Sequence, residues 1–166
     1  MKAAILTASD RGARGEREDA SGRVLRELLS AVGAEVVDYR VVPDELDLVA
    51  GALVAMADSG VDLICTTGGT GLGPRDVTPD ATLQVIQRRV PGIPEAIRAE
   101  SLKKTPRAML SRAEAGVRGK TLIVNLPGSP NAVRECLEVV LPVLSHAVEV
   151  LRGGPLDCAR DREAPA

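Results

Sequence analysis

Residues 61–82 read VDLICTTGGTGLGPRDVTPDAT, and the order of chemistry in them decides the fold. VDLICTT is a short, unbroken apolar run, the pattern of a strand covered on both faces rather than one with a wet side. Four glycines follow within six residues (68–73). Glycine at that density weakens any helix or strand it enters, so bare backbone is required there. Thr78-Pro79 then has the form of a helix cap followed by a proline in the first helical turn. A buried strand, a glycine-rich turn and a helix start in that order make one unit of a parallel α/β sheet.

The same alternation extends in both directions. Upstream, KAAILTAS (2–9) is a buried strand, and the polar loop DRGARGERED leads to a helix from about Ala20. In that helix Val24, Leu25, Leu28, Leu29 and Val32 recur at helical spacing, and Gly33 is its stop. EVVDYRVV (35–42) is a second strand, ended by Pro43, and a helix carrying Leu46, Val49, Leu53 and Met56 follows it to about Gly60. Downstream, the Thr78 helix is expected to reach Val90, and 91–115 to be helical in short pieces broken at Pro94 and Pro106. TLIVNLP (121–127) is a fourth strand, and Ser129-Pro130 repeats the cap-plus-proline signal for a helix to about Leu151, with Pro142 inside it. The expectation is a three-layer, doubly wound, mostly parallel sheet with helices on both faces. It forms one domain over 1–152, with a loose tail over 153–166.

Composition excludes several functions. The net charge is −2 and Tyr39 is the only aromatic residue among 166. The chain therefore lacks the basic face and the stacking platform of a nucleic-acid binder. No run of about 18 apolar residues is present, so no membrane span is expected. The first residues are too short an apolar stretch for a signal peptide. Cys65, Cys136 and Cys158 are odd in number and form no C-x-x-C, which fits reduced thiols in the cytoplasm. One histidine, His146, falls in the middle of the last helix, too isolated for a zinc site or a catalytic triad.

In parallel sheets ligands sit beyond the carboxyl ends of the strands. Four loops are expected on that edge: Ser9-Asp10-Arg11, Pro43-Asp44-Glu45, Thr66 to Asp80, and Pro127-Gly128-Ser129. A glycine-rich turn before a helix start lets backbone N–H groups point at an anion, although neither G-x-x-x-x-G-K-[ST] nor G-x-G-x-x-G is present. A ligand-free tight turn is the plain alternative. Asp44 and Asp76 lie beside this phosphate-type loop, where two carboxylates would repel the ligand unless a cation such as Mg²⁺ stood between them. Asp44 is otherwise an N-cap, and Asp80 is either a ligand contact or an acid favouring the helix dipole.

TTGGTGLGPRDVTPDAT, together with TASDRG and EDASG upstream, the PDE after the second strand, LSR at 110–112 and LPGSP at 126–130, resembles the MoaB/Mog family of molybdenum-cofactor biosynthesis over about residues 3–152. The resemblance implies a molybdopterin adenylyltransferase that uses Mg²⁺ and ATP as co-substrate, releases pyrophosphate and holds no tightly bound organic cofactor. It places the two required acids at Asp44 and Asp76. Gly68, Gly69, Thr70 and Gly71 would line the molybdopterin end, with Ser111, Gly128 and Ser129 nearby. Ser9 and Arg11, by their place at the end of the first strand, and Asp80 are further candidate contacts, Ser9-Asp10 being otherwise an ordinary helix-cap pair. It implies a homo-oligomer, a trimer or in some members a hexamer, and hand-over of product to a molybdate-inserting enzyme, with neither nucleic acid nor membrane as partner. The rival reading is a non-catalytic molybdopterin-binding or carrier protein of the same pathway.

Overall fold

The computed structural model describes residues 1–154. Nearly all of the loose tail expected over 153–166, Cys158 included, lies outside the described residues. The elements are β1 (Lys2–Ala8), α1 (Asp10–Ala13), α2 (Ala20–Ala31), β2 (Glu35–Val42), α3 (Leu46–Asp58), β3 (Leu63–Thr67), α4 (Thr78–Val85), β4 (Arg88–Arg89), α5 (Gly92–Leu102), a 3₁₀ turn (Pro106–Leu110), β5 (Ala115–Arg118), β6 (Thr121–Leu126) and α6 (Pro130–Arg152). They build one six-stranded sheet in the order β2-β1-β3-β6-β5-β4. The first four strands of that order run parallel, while β5 is antiparallel to β6 and β4 antiparallel to β5.

Helices cover both faces. On one, Leu25 and Leu29 of α2, Ile93 and Ile97 of α5, and Val133, Leu137 and Leu144 of α6 pack on Ile5, Cys65 and Val124. On the other, Val49, Leu53 and Met56 of α3 and Ala81 and Val85 of α4 pack on Leu6, Ile64 and Ile123. β3 and β6 are buried at every position, which is why their sequences are continuous apolar runs rather than alternations. Cys65 is a fully buried core residue, and burial pushes its thiol up to about 12.

Four features depart from the expectation. The segment 91–115 is not helical throughout: α5 runs unbroken from Gly92 to Leu102 with Pro94 inside its first turn, and Ala115 already begins a strand. The helix from Thr78 stops at Val85 instead of Val90, because Gln87 and Val90 donate their N–H groups to Val117 and Ala115 of β5. Sheet pairing thereby wins over helical continuation. Thr78 does not cap that helix. Val77 is the N-cap, and the Thr78 hydroxyl is buried without a hydrogen-bond partner among the described residues. Asp44 is not an N-cap either, since α3 begins after Glu45 and has no side-chain cap.

Strand register sets the functional edge. Ala8 pairs with Val42, Thr7 with Thr67, and Thr67 with Leu126, so four parallel strands end level. The loops after them emerge side by side. Strand order reverses between β1 and β3, because the chain leaves β1 toward β2 on one side and reaches β3 on the other. Such a switch point opens a crevice between the departing loops.

Candidate active site

A cleft of about 400 Å³ opens at that switch point, lined by Thr7, Ala8 and Ser9 from the end of β1, Gly68 and Gly69 after β3, Asp44, Asp76, and Gly128 and Ser129 after β6. A second cleft of about 300 Å³ lies beyond the glycine turn. Its walls include Thr70, Gly71, Ser111, Ile97, Ala108 and Ala132. The sequence-expected residues are thus divided. Ser9, Asp44, Gly68, Gly69, Asp76, Gly128 and Ser129 share the first cleft, whereas Thr70, Gly71 and Ser111 face the second. Arg11 is exposed and lines neither, and Asp80 also stands apart, its carboxylate held by Arg112 at 2.9 and 3.1 Å. His146 is exposed on α6, away from both.

The four glycines have reasons internal to the protein. Gly68 and Gly69 adopt φ of +91° and +62°, values that L side chains rarely take. A Cβ on Gly68 would strike the Ala8 carbonyl, and one on Gly69 would lie 2.6 Å from the Thr78 hydroxyl and 3.2 Å from the Asp44 carboxylate. Gly71 and Gly73 have ordinary φ, but a Cβ on either would stand 2.8 Å from Oδ2 of Asp76. The loop therefore folds around its own acid. Gly73 N–H donates to that carboxylate at 2.8 Å, which fixes one of its oxygens.

Asp44 is held by a reciprocal clasp. Asp10 N–H donates to Asp44 Oδ2 at 2.8 Å, and Asp44 N–H donates back to Asp10 Oδ1 at 3.0 Å. Arg75 neutralises Asp10 through 2.7 and 3.0 Å bonds, and holds the Asp10 carboxyl below its ordinary range. Burial pushes the Asp44 carboxyl up, and the neighbouring charges of Asp10 and Asp76 push the same way, against lowering by the Asp10 N–H and Arg75. A half-buried carboxylate with further acids close by is a site that a cation relieves.

Three further groups were not singled out from sequence. Asp19 lines the first cleft, but its oxygens are taken by the hydroxyls of Thr7, Ser21 and Tyr39 and the N–H of Gly22. Burial pushes its carboxyl up, yet these four donors hold it below the ordinary value. It anchors the start of α2 and has no lone pair left for a metal. Arg17, in the loop before it, is the only cationic side chain on that cleft's wall among the described residues. Arg112 is the third. Its Nε donates to the Gly71 carbonyl at 2.9 Å, its Nη2 to the Asp76 carbonyl, and its backbone N–H to the Thr70 carbonyl at 2.9 Å. The LSR triplet carried the signal for it, but no spacing shows that this arginine folds back onto a loop more than thirty residues upstream.

Among the described residues no cluster of three or more His, Cys, Asp or Glu gathers as a metal cage. Two carboxylates alone suit Mg²⁺, which commonly takes one or two protein oxygens and draws the rest from substrate phosphates and water. The arrangement offers a charged crevice for a phosphate chain beside a largely apolar recess, with Gly68–Gly71 as the wall between them.

Known proteins bear on this geometry. A family model described as a probable molybdopterin binding domain matches residues 4–146. Molybdopterin adenylyltransferase of Helicobacter pylori J99 is 46% identical over 152 residues, covering 90% of this chain and 86% of that protein. The molybdopterin biosynthesis enzyme MoaB from Thermus thermophilus superposes with a TM-score of 0.87 at 53% identity, over 93% of this chain and 98% of that one. The molybdopterin biosynthesis Mog protein from Mycobacterium ulcerans gives 0.86 at 43% identity, over 90% and 98%.

Proposed function

This chain belongs to the MoaB/Mog family of probable molybdopterin-binding domains, and from that premise we propose how its two clefts divide one reaction. It is a nucleotidyltransferase of molybdenum-cofactor biosynthesis that adenylylates molybdopterin. The first cleft takes the triphosphate of ATP and the second takes the pterin, so that the reacting phosphates meet across Gly69 and Thr70. Asp44 and Asp76 lining one crevice together with the bare backbone of Gly68 and Gly69, near enough for the charge of Asp76 to raise the Asp44 carboxyl, is the observation that supports this assignment.

A phosphate oxygen of molybdopterin attacks the α-phosphorus of ATP. The new P–O bond forms as the bond to the β-phosphate's bridging oxygen breaks, and pyrophosphate leaves with that electron pair. The nucleophile is already an anion, so no histidine or other base is needed, and no histidine lines the crevice among the described residues. Rate comes from alignment and from fixed groups around developing charge. Asp44 and Asp76 would hold Mg²⁺, which when bound supplies positive charge to the triphosphate. Arg17 stands where an anionic chain would enter, and Ser129 and Ser21 offer polar groups at two helix starts. The second cleft has no aromatic side chain to stack on a pterin; aliphatic walls clasp its faces, and Thr70 and Ser111 are placed at its edge. We place the enzyme in the cytoplasm, a reading supported by Cys65 and Cys136 being free buried thiols and by the rarity of structural disulfides there.

The test is formation of adenylyl-molybdopterin and pyrophosphate from molybdopterin, ATP and Mg²⁺, with Asp76→Asn beside the wild type. Turnover that is lost in the variant supports the assignment. A wild type that binds molybdopterin yet never releases pyrophosphate would be a carrier.

A further inference from the structure

Arg112 belongs to both clefts without lining either. Its chain neighbours Leu110, Ser111 and Ala113 form a wall of the second cleft, and Arg98 fastens that wall by donating to the carbonyls of Ser111 and Ala113 at 3.4 and 3.0 Å. The Arg112 side chain points the other way. It closes the loop 70–80 like a clasp, gripping its start through the Gly71 carbonyl and its end through the Asp76 carbonyl and the Asp80 carboxylate, while the backbone N–H of Arg112 donates to the Thr70 carbonyl. Every guanidinium nitrogen is engaged. Inside the closed loop the Asp76 carboxylate lies over Gly71 and Gly73, where neither has a Cβ to displace it, and accepts the Gly73 N–H.

We propose that Arg112 is a positioning residue that couples filling of the second cleft to the setting of Asp76 in the first. A ligand seated against Leu110–Ala113 steadies the backbone from which Arg112 springs, and Arg112 passes that steadiness to the loop that carries the acid. The guanidinium is suited to this, because three nitrogens in a rigid plane hold three separate acceptors at once. A lysine ammonium in its place keeps the charge but not the fork. The inference rests on the assignment of ATP and molybdopterin to the two clefts.

The experiment is calorimetric and involves no turnover. Binding of α,β-methylene-ATP with Mg²⁺ is measured with and without molybdopterin, in wild type, Arg112→Lys and Asp80→Asn. In the wild type molybdopterin is expected to tighten the analogue about tenfold, within the usual span of coupling between sites, and the analogue to tighten molybdopterin by the same factor. In Arg112→Lys the factor falls to near one while each ligand still binds alone. In Asp80→Asn, which leaves one acceptor oxygen but removes the charge and the second oxygen of that bidentate pair and spares the carbonyls, it falls part of the way. Melting temperatures close to wild type show that both variants fold. A wild-type factor that survives in Arg112→Lys overturns the proposal. So does a wild type that binds both ligands independently, which leaves the adenylyltransferase reading intact. A wild type that binds neither ligand refutes both.

Discussion

The two clefts share a wall and differ in almost everything else. The first is built from backbone turns, helix starts and carboxylates, and its shape depends on Gly68 and Gly69, whose positive φ disfavours any side chain. The second is built from side chains of α5, the 3₁₀ turn and α6, and its surface is mainly carbon. The contrast teaches that the glycine loop holds protein groups as much as ligand. Gly71 and Gly73 leave room for Asp76 itself. Charge is thus fixed by backbone geometry on one side, while shape is fixed by replaceable side chains on the other, and substitutions on the two sides should fail differently.

The largest effect should come from Asp76→Asn, with turnover lower by about 10²–10³-fold, the scale of removing one electrostatic group aimed at a transition state. The melting temperature should stay near that of wild type. Equal losses of turnover and stability would mean that the acid is structural. Gly71→Ala comes next. Its φ is permitted, so the fold should survive, but the new methyl displaces the Asp76 carboxylate and turnover should fall at least about tenfold, as small misplacements at reacting groups do. Gly68→Ala is the contrasting change. Positive φ and the Ala8 carbonyl make it cost about 1–3 kcal/mol of stability, read as a lower denaturation midpoint. If the two glycines behave alike, the distinction between ligand room and protein room collapses.

On the other side of the wall, Ala132→Leu fills the second cleft. Molybdopterin affinity should weaken about tenfold, the cost of a misfitted apolar pocket, with binding of an ATP analogue alone unchanged in calorimetry. The smallest effect concerns Asp44. Its carboxyl is raised by burial, so the folded protein takes up that proton more readily than the unfolded chain. Its contribution to stability is therefore present in acid and lost as pH rises through the raised value. Asp44→Asn should accordingly melt slightly above wild type at neutral pH while losing activity, and the gain should vanish as pH is lowered. A melting gain that is the same at every pH would remove burial of charge as its cause.

Much of this architecture was legible because periodicity records burial. β1, β2, β3 and β6 lie within two residues of their expected bounds, as continuous apolar runs or a run closed by Pro43. β4 and β5 were not legible, since Arg88–Arg89 and Ala115–Arg118 are too short to show a period. They exist only through pairing with β6 and with each other, a tertiary cause. At the site, Asp44 and Asp76 were visible as acids beside a phosphate-type turn. Their division from Ser111 and Thr70 was not, because it depends on residues 106–113 folding back across the loop. Thr78 misled for a related reason: its backbone N–H donates to the Gly69 carbonyl, which ties it to the glycine turn and leaves the capping position to Val77.

The solitary Tyr39 has a spectroscopic consequence. Its hydroxyl donates to Asp19 on the wall of the first cleft, the Arg26 guanidinium lies 5.2 Å from its ring centre, and burial with Asp19 pushes its pKa up to about 12. With neither tryptophan nor phenylalanine in the chain, the protein's near-ultraviolet absorption and emission come almost wholly from this ring. The near-ultraviolet absorption of a bound pterin can therefore be watched without a tryptophan background. An alkaline titration in which tyrosinate absorbance rises near the free phenol value, and not near pH 12, would report release of that ring from its place behind the cleft.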